Sequence, residues 1–372
     1  MFFLSKRLKT VFVGFIRYGV FEMGHRKHST PRRGSLAFSP RARHQVLVPR
    51  VRNWTSRGID KPTLGGYPLF KVGMIQVVTL DDREKTPNFG KPMFNPATVL
   101  SAPSVTVYGF RGYGRKNGID FALVDVFANN LPEEIQGRIS LIRNSKNAEL
   151  FDASLKKVES LLGQIESFTA IVGVNPSETG LSNGNPQIQE VGIVGGSPKA
   201  QFEYLKGVVG NVVKASDYFR PGSFIDTIAV TKGKGFEGVI TRFGVKRKQH
   251  KSRKTVREVG VISPWHPATV MYTVPRAGQM GFHQRIDKNK RILAVSSAQQ
   301  NPITPSGGFP HFGDIRGDYV IVKGSVPGPI KRLVDMRLPL YPRKQKVQVP
   351  KIVEINIAGR AMPLIAAPVP AK

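Results

Sequence analysis

Residues 67–82 read YPLFKVGMIQVVTLDD, and residues 94–114 read FNPATVLSAPSVTVYGFRGYG. Both stretches are dense in β-branched and aromatic residues and are punctuated by Gly, Pro and Asp, the composition of strands closed off by turns. They predict antiparallel strands of a barrel or sandwich, entered after the break at Gly65-Gly66. Asp81-Asp82 would be a carboxylate pair suited to acid–base work, but Arg83 and Glu84 follow at once, and a solvated turn is the better reading.

Moving outward, residues 131–200 change character, with six basic residues against eight acids. Leu155, Val158, Leu161, Leu162 and Ile165 recur at helical spacing, with Asp152 as the N-cap. Ser197 and Pro198 open a second helix that buries Phe202, Leu205, Val208 and Val209 and stops near Gly210. FTAIVGVN and PQIQEVGIVG, between the helices, read as strands. This near-neutral part is expected to be a small α/β insertion. Further on, residues 220–230, 291–299 (RILAVSSAQ) and 316–328 (RGDYVIVKGSVPG) return to strand character and complete the barrel.

Between those strands runs a segment of another kind. Residues 231–290 hold 14 Lys or Arg and three acids, including the run 246–254 (KRKQHKSRK), with Phe236, Phe243, Trp265, Tyr272 and Phe282 spaced among the charges. Interleaved Gly and Pro predict a long extended loop that orders on its partner. Cations for phosphates, aromatic faces for stacking and glycine for close backbone approach are what RNA binding requires. A second basic segment, residues 24–60, has nine Lys or Arg and one acid, broken by Pro31, Pro40 and Pro49, and reads as an extended arm.

The whole chain agrees. Its 372 residues carry a formal charge of +31, so a polyanionic partner is expected ahead of an anionic membrane. The apolar fraction of 40% is enough for a core. Without Cys there are no disulfides, no thiolate zinc and no thiol catalysis. No apolar run reaches the roughly 18 residues of a membrane-spanning helix. Residues 1–22 superficially resemble a signal peptide, but Arg17 interrupts the apolar part and no small-residue cleavage site follows. Met23 is expected to be the biological start and residues 1–22 an upstream, non-native extension.

Several motifs invite sharper readings. Gly233-x-Gly235-x-x-Gly238 matches the dinucleotide fingerprint, with Glu258 downstream, but that motif needs a helix after the third glycine to receive the pyrophosphate. Here β-branched Val239-Ile240-Thr241 and a basic run follow, so no nicotinamide or flavin site is expected, and no other cofactor. Asn53-Trp54-Thr55 fits a glycosylation acceptor, a weak signal without secretion. His25, His28 and His44 sit on a basic arm without Cys or nearby carboxylates, so no metal site is expected. His266 and His283 lack a partner for catalysis and read as RNA contacts or structural histidines. Trp265, flanked by Pro264 and His266-Pro267, either anchors its loop or is presented at the tip to stack on nucleotides.

VTKGKGFEG (230–238), WHPA (265–268) and RAGQMG (276–281), with GHRKHSTPRRGSLAFSPRAR (24–43) and VIVKGSVPGP (320–329), resemble universal large-subunit ribosomal protein three in its archaeal and eukaryotic form. The similarity runs from Gly24 to the C-terminus. It implies a β-rich α+β fold: a six-stranded translation-protein-like β-barrel with an α/β insertion and long basic RNA-binding extensions. The expected organisation is a prefix 1–22, a basic arm 23–64, barrel 65–130, insertion 131–212, a barrel strand 213–230, a central finger 231–290, barrel completion 291–336 and a Pro-rich extension 337–372.

The resemblance also implies a structural, non-enzymatic constituent of the cytoplasmic ribosome. Its partners would be the 3′ domain of large-subunit rRNA and neighbouring ribosomal proteins, with no membrane and no small-molecule substrate. It would act early in assembly, and Trp265 would lie at the end of a finger near the peptidyl transferase centre and the tRNA accommodation region. Arg253 stands where eukaryotic members carry a modified histidine. Candidate RNA contacts on the arm are His25, Arg26, Lys27, Arg32, Arg33, Arg41 and Arg43. Those on the central loop are Lys232, Lys234, Phe236, Arg242, Lys246, Arg247, Lys248, His250, Lys251, Arg253, Lys254, Trp265, His266, Arg276, Gln279, His283 and Arg285. A nucleic-acid-modifying enzyme, another basic RNA-binding barrel protein and a membrane-surface protein are the alternatives, separable by cofactor binding and by co-sedimentation with membranes.

Overall fold

The computed structural model describes residues 31–54, 59–129, 131, 148–342, 348–357 and 360–363. The chain divides into two compact units, a larger one of residues 43–234 and 281–372 and a smaller one of residues 1–42 and 235–280.

The larger unit is β-rich. Six of its strands are β2 (Gly66–Leu80), β3 (Pro92–Ala102), β9 (Phe224–Val230), β12 (Gln284–Ser297), β13 (Asp318–Lys323) and β14 (Leu333–Arg337). Every pairing among them is antiparallel, and β14 bonds both β9 and β2, so the six close into a ring in the order β2-β3-β13-β12-β9-β14. Closure leaves no open edge among these strands. β2 is long enough to serve two partners: residues 66–70 pair with β14, and residues 76–79 pair with β15 (Ile352–Ile357), which in turn pairs with β16 (Arg360–Pro363). β2 is buried almost continuously from Gly66 to Phe70 rather than on alternate residues, because both of its faces are covered there. Leu69, Phe70, Val72, Val99, Leu100, Ile225, Ile292, Ile321 and Met336 belong to the core.

A second antiparallel sheet has the order β1-β7-β6-β4-β5: β1 (Thr63–Leu64), β7 (Gln187–Val194), β6 (Ser167–Val174), β4 (Val105–Lys116) and β5 (Ile119–Phe127), with β8 (Val212–Val213) beside β4. Residues 105–127, read from sequence as part of the barrel, therefore belong to this sheet and not to the ring. The chain leaves the ring at Pro103, whose carbonyl accepts from the buried Tyr67 hydroxyl at 2.7 Å. β4 and β5 are joined by Asn117-Gly118, both at positive φ, the two-residue hairpin geometry that matches strand twist. Helices α1 (Ala148–Leu161) and α2 (Pro198–Val208) accompany the sheet. Phe110 of β4, Phe168 of β6 and Phe202 of α2 pack with ring centroids 5.9–6.1 Å apart.

α2 begins as its sequence dictates, with the Ser197 hydroxyl accepting from Ala200 N and Pro198 following, and it buries Phe202 and Leu205. α1 departs from expectation: it is already helical at Ala148, so Asp152 lies inside it rather than at its cap, and Leu162 and Ile165 fall beyond its end. Gly192 of β7 together with Gly65 and Gly66 accommodates Trp54; a Cβ on Gly192 would sit 2.3 Å from the indole Cδ1. Trp54, part of the supposed glycosylation pattern, is thus an anchor that pins the arm to the second sheet. Asp81 and Asp82 depart from expectation as well, since they are paired and not solvated: Asp81 is buried against Arg83, and Asp82 is held by Arg291.

Candidate nucleic-acid interface

The smaller unit combines the first part of the arm and most of the central loop. Strands β10 (Phe236–Glu237) and β11 (Gly278–Gln279) pair antiparallel and close the loop at its ends, helped by Met280 N donating to Gly235 O at 2.8 Å. Next comes a one-turn helix, α4 (Ala215–Tyr218 being α3 of the larger unit), spanning Val239–Phe243 and ending at Gly244 with φ +65°. The β-branched residues had predicted no helix there. The turn owes its place to tertiary bonds: Arg242 Nε donates to Gln279 O at 3.0 Å and Nη1 to Arg276 O at 2.9 Å.

The arm docks on the same turn. Arg41 lies 4.2 Å from the Phe243 ring centroid and donates to Arg242 O, while the Arg242 guanidinium lies 5.1 Å from that ring. Arg32 Nη2 donates to Thr273 O at 2.6 Å. Gly34, at φ +74°, would carry a Cβ only 2.6 Å from Phe243 Cδ1, so the approach demands glycine. Two guanidinium groups on one ring with no carboxylate between them repel; burial, and then Arg41, lowers the Arg242 pKa from its ordinary value. Gln279 and Arg242 thus carry structural bonds, and Arg41 shares their brace.

From Gly244 to Ala277 the loop has no regular element, although Lys248 N donates to Val256 O at 3.0 Å and ties off the basic run. Lys246, Arg247, His250, Lys251, Arg253, Lys254, His266 and Arg276 are exposed, as are Arg32 and Arg33; Lys248 is half-buried. Residues 235–280 contain nine Lys or Arg and two acids, and residues 31–42 three Arg and no acid. Yet no ion pair occurs among the described residues of this unit; all are in the larger one. Trp265 is 88% exposed, Tyr272 84% and Phe236 79%. Of the two readings of Trp265, presentation is the one its geometry matches, since an anchor would be covered.

The remaining candidates sit in the larger unit. Lys232, Lys234 and Arg43 are exposed. Arg285 is half-buried and donates to Gln284 O. His283 is 9% exposed; its carbonyl accepts from Thr231 N and its N–H donates to the Thr231 hydroxyl, which matches a structural histidine. His44 Nδ1 lies 2.6 Å from Val46 O. His25, Arg26, Lys27 and the prefix lie outside the described residues. Among the described residues no three His, Cys, Asp or Glu gather as metal ligands. Sequence reasoning missed other cations of the larger unit: Arg111, bound to Asp125 and Glu190, and a cluster around Arg291 and Lys323. Their partners are remote along the chain, so no local motif marks them.

The family model described as ribosomal protein L3 matches residues 23–359. This chain belongs to the ribosomal protein L3 family. It is 40% identical to the large ribosomal subunit protein uL3 of Methanococcus vannielii over 334 residues, covering 89% of this chain and 97% of the relative. It is 40% identical over 333 residues to that of Methanocaldococcus jannaschii, covering 89% and 97%, and 41% identical over 349 residues to that of Caldivirga maquilingensis, covering 91% and 99%. These are archaeal proteins, in agreement with the archaeal and eukaryotic form indicated by the motifs. The L3 match takes in both units, so the exposed cationic loop is a part of the family's chain and not an appendage to it.

Proposed function

We propose that this chain is a structural constituent of the large ribosomal subunit that binds large-subunit rRNA and catalyses no reaction. The observation that supports this reading most directly is the smaller unit: a dense set of cations without a single ion pair among its described residues, interspersed with exposed aromatic side chains. Each lysine or arginine that meets a phosphate releases condensed counterion, which supplies affinity without reading sequence. Trp265 and Tyr272 add stacking surface for unpaired bases. The protein works in the cytoplasm, as part of the ribosome.

Finer features belong to the same reading. The closed ring of six strands is the translation-protein-like barrel, the second sheet with its helices is the α/β insertion, and residues 231–290 are the finger. The partner RNA is the 3′ domain of the large-subunit rRNA, joined during early assembly, and the finger braces the region of the peptidyl transferase centre with Trp265 towards the tRNA accommodation path. Peptide-bond chemistry belongs to RNA.

Sucrose-gradient fractionation of a native extract at moderate and high salt, with the chain quantified by mass spectrometry, tests the reading. One copy per large-subunit RNA, retained at high salt, is expected. Migration with free protein or with membranes would overturn it.

A further inference from the structure

The larger unit carries a second cationic site, built from strand ends of the ring. A cavity of about 300 Å³ is lined by Asp81, Asp82, Arg83, Lys290, Arg291 and Lys323 among others. Its carboxylates are already committed. Asp81 takes Arg83 Nε at 2.8 Å and Nη2 at 2.9 Å, and also the Thr86 hydroxyl. Asp82 takes both terminal nitrogens of Arg291. Lys290 is paired with Asp287 at 3.1 Å.

That leaves Lys323. At the end of β13 it is half-buried, yet among the described residues it has neither an ion pair nor a hydrogen bond of its side chain. A cation withdrawn from water without a bonded partner is costly. Burial, and then the Arg83 and Arg291 guanidinium groups, lowers its pKa from the ordinary lysine value, and the nearby Asp81 and Asp82 carboxylates, already bonded to those arginines, offset this only in part. Arg291 Nε is a further buried donor with no acceptor. The lining therefore holds four cations against two spent carboxylates, with donors left over. A group with several anionic oxygens answers such a set better than one more carboxylate, which would satisfy fewer donors.

We infer that this cavity is a phosphate-binding site in which Lys323 is the principal ligand, seconded by Lys290 and the outer face of Arg83. Resting on the rRNA-binding reading above, the occupant is a backbone phosphodiester of the large-subunit RNA; free inorganic phosphate is the other source of the same chemistry. The site adds to the RNA footprint a fixed point on the ring, held by strands, in addition to the exposed cations of the loop.

The test compares the full chain with Lys323→Gln and Lys323→Arg for binding to a large-subunit rRNA transcript across a salt series, with circular dichroism melting to confirm that each variant folds. Lys323→Gln is expected to flatten the slope of log affinity against log salt by about 0.9 and to weaken binding about fivefold to tenfold near 0.1 M salt, while Lys323→Arg restores both. In parallel, acetylation of Lys323 in the RNA-free chain is followed with inorganic phosphate as the probe. A flattened slope with no protection by millimolar phosphate identifies the backbone; protection by phosphate with an unchanged slope identifies the free anion. An unchanged slope together with unprotected Lys323 overturns the site. If the unaltered chain fails to bind the transcript, the rRNA reading falls, and the phosphate arm still decides the cavity.

Discussion

Single residues in this chain separate into those that hold the fold and those that face outward. Asp226 and Arg337 are 1% and 2% exposed and 3.3 Å apart, and Asp226 also accepts from the backbone of Asn289 and Leu340 while Arg337 reaches Asn53 O. Removing one partner leaves a buried charge, so Arg337→Met should cost about 3–5 kcal/mol, measured by denaturant unfolding. Asp335, buried on β14, accepts from Gln189 of β7 at 2.8 Å, and burial raises its pKa to about 7. A carboxyl that ionises later in the folded chain than in the unfolded one stabilises fully below about pH 4, and that contribution is lost as pH rises through about 7. Asp335→Asn should therefore flatten the fall in stability between pH 4 and 7; an unaltered pH profile would contradict the assignment. Trp265 is the opposite case. Trp265→Ala should leave the melting temperature unchanged, lower RNA affinity by about 1–3 kcal/mol and disturb tRNA accommodation in assembled ribosomes; wild-type decoding and affinity would remove it from the interface.

At the level of elements, type was legible and partnership was not. Runs dense in β-branched and aromatic residues announced β2, β3, β4, β6, β7 and β13, and Ser197-Pro198 announced α2, because those signals are local. Nothing local states that β4 bonds β6 while β3 bonds β13; long-range pairing decides that. Asp82 looked like a turn residue because its partner, Arg291, is 209 residues away. The one-turn helix at Val239–Phe243 ran against propensity because Arg242 and the docked arm hold it. The cations of the loop were legible as a cluster, but only the fold separates Arg242, which braces, from Trp265, which is presented. Gly34→Ala tests the docking of the arm. It has no room for a methyl group and would strain a positive φ, so tryptic cleavage at Arg32 and Arg33 should accelerate in the variant while the larger unit resists as before.

The molecule as a whole is held by two unlike logics. The larger unit buries apolar residues and holds every ion pair seen among the described residues; the smaller unit has none, so RNA-free chain should be sensitive to ionic strength most of all there. Raising salt from 0.05 to 0.2 M should weaken transcript binding by at least about a thousandfold while the melting of the larger unit moves little; a flat salt response would exclude phosphate contacts as the main source of affinity. The ring carries one further consequence, and it concerns synthesis. Its closing strand, Leu333–Arg337, bonds β2, which begins at Gly66, so the first strand of the ring must wait for the ring's last. Until then the nascent chain exposes an unpaired edge on β2 and another on β9. During that interval the basic arm and loop have already been translated. Newly made copies of this chain are thus at their most adhesive just before they are finished, and a cell must shield them during that time.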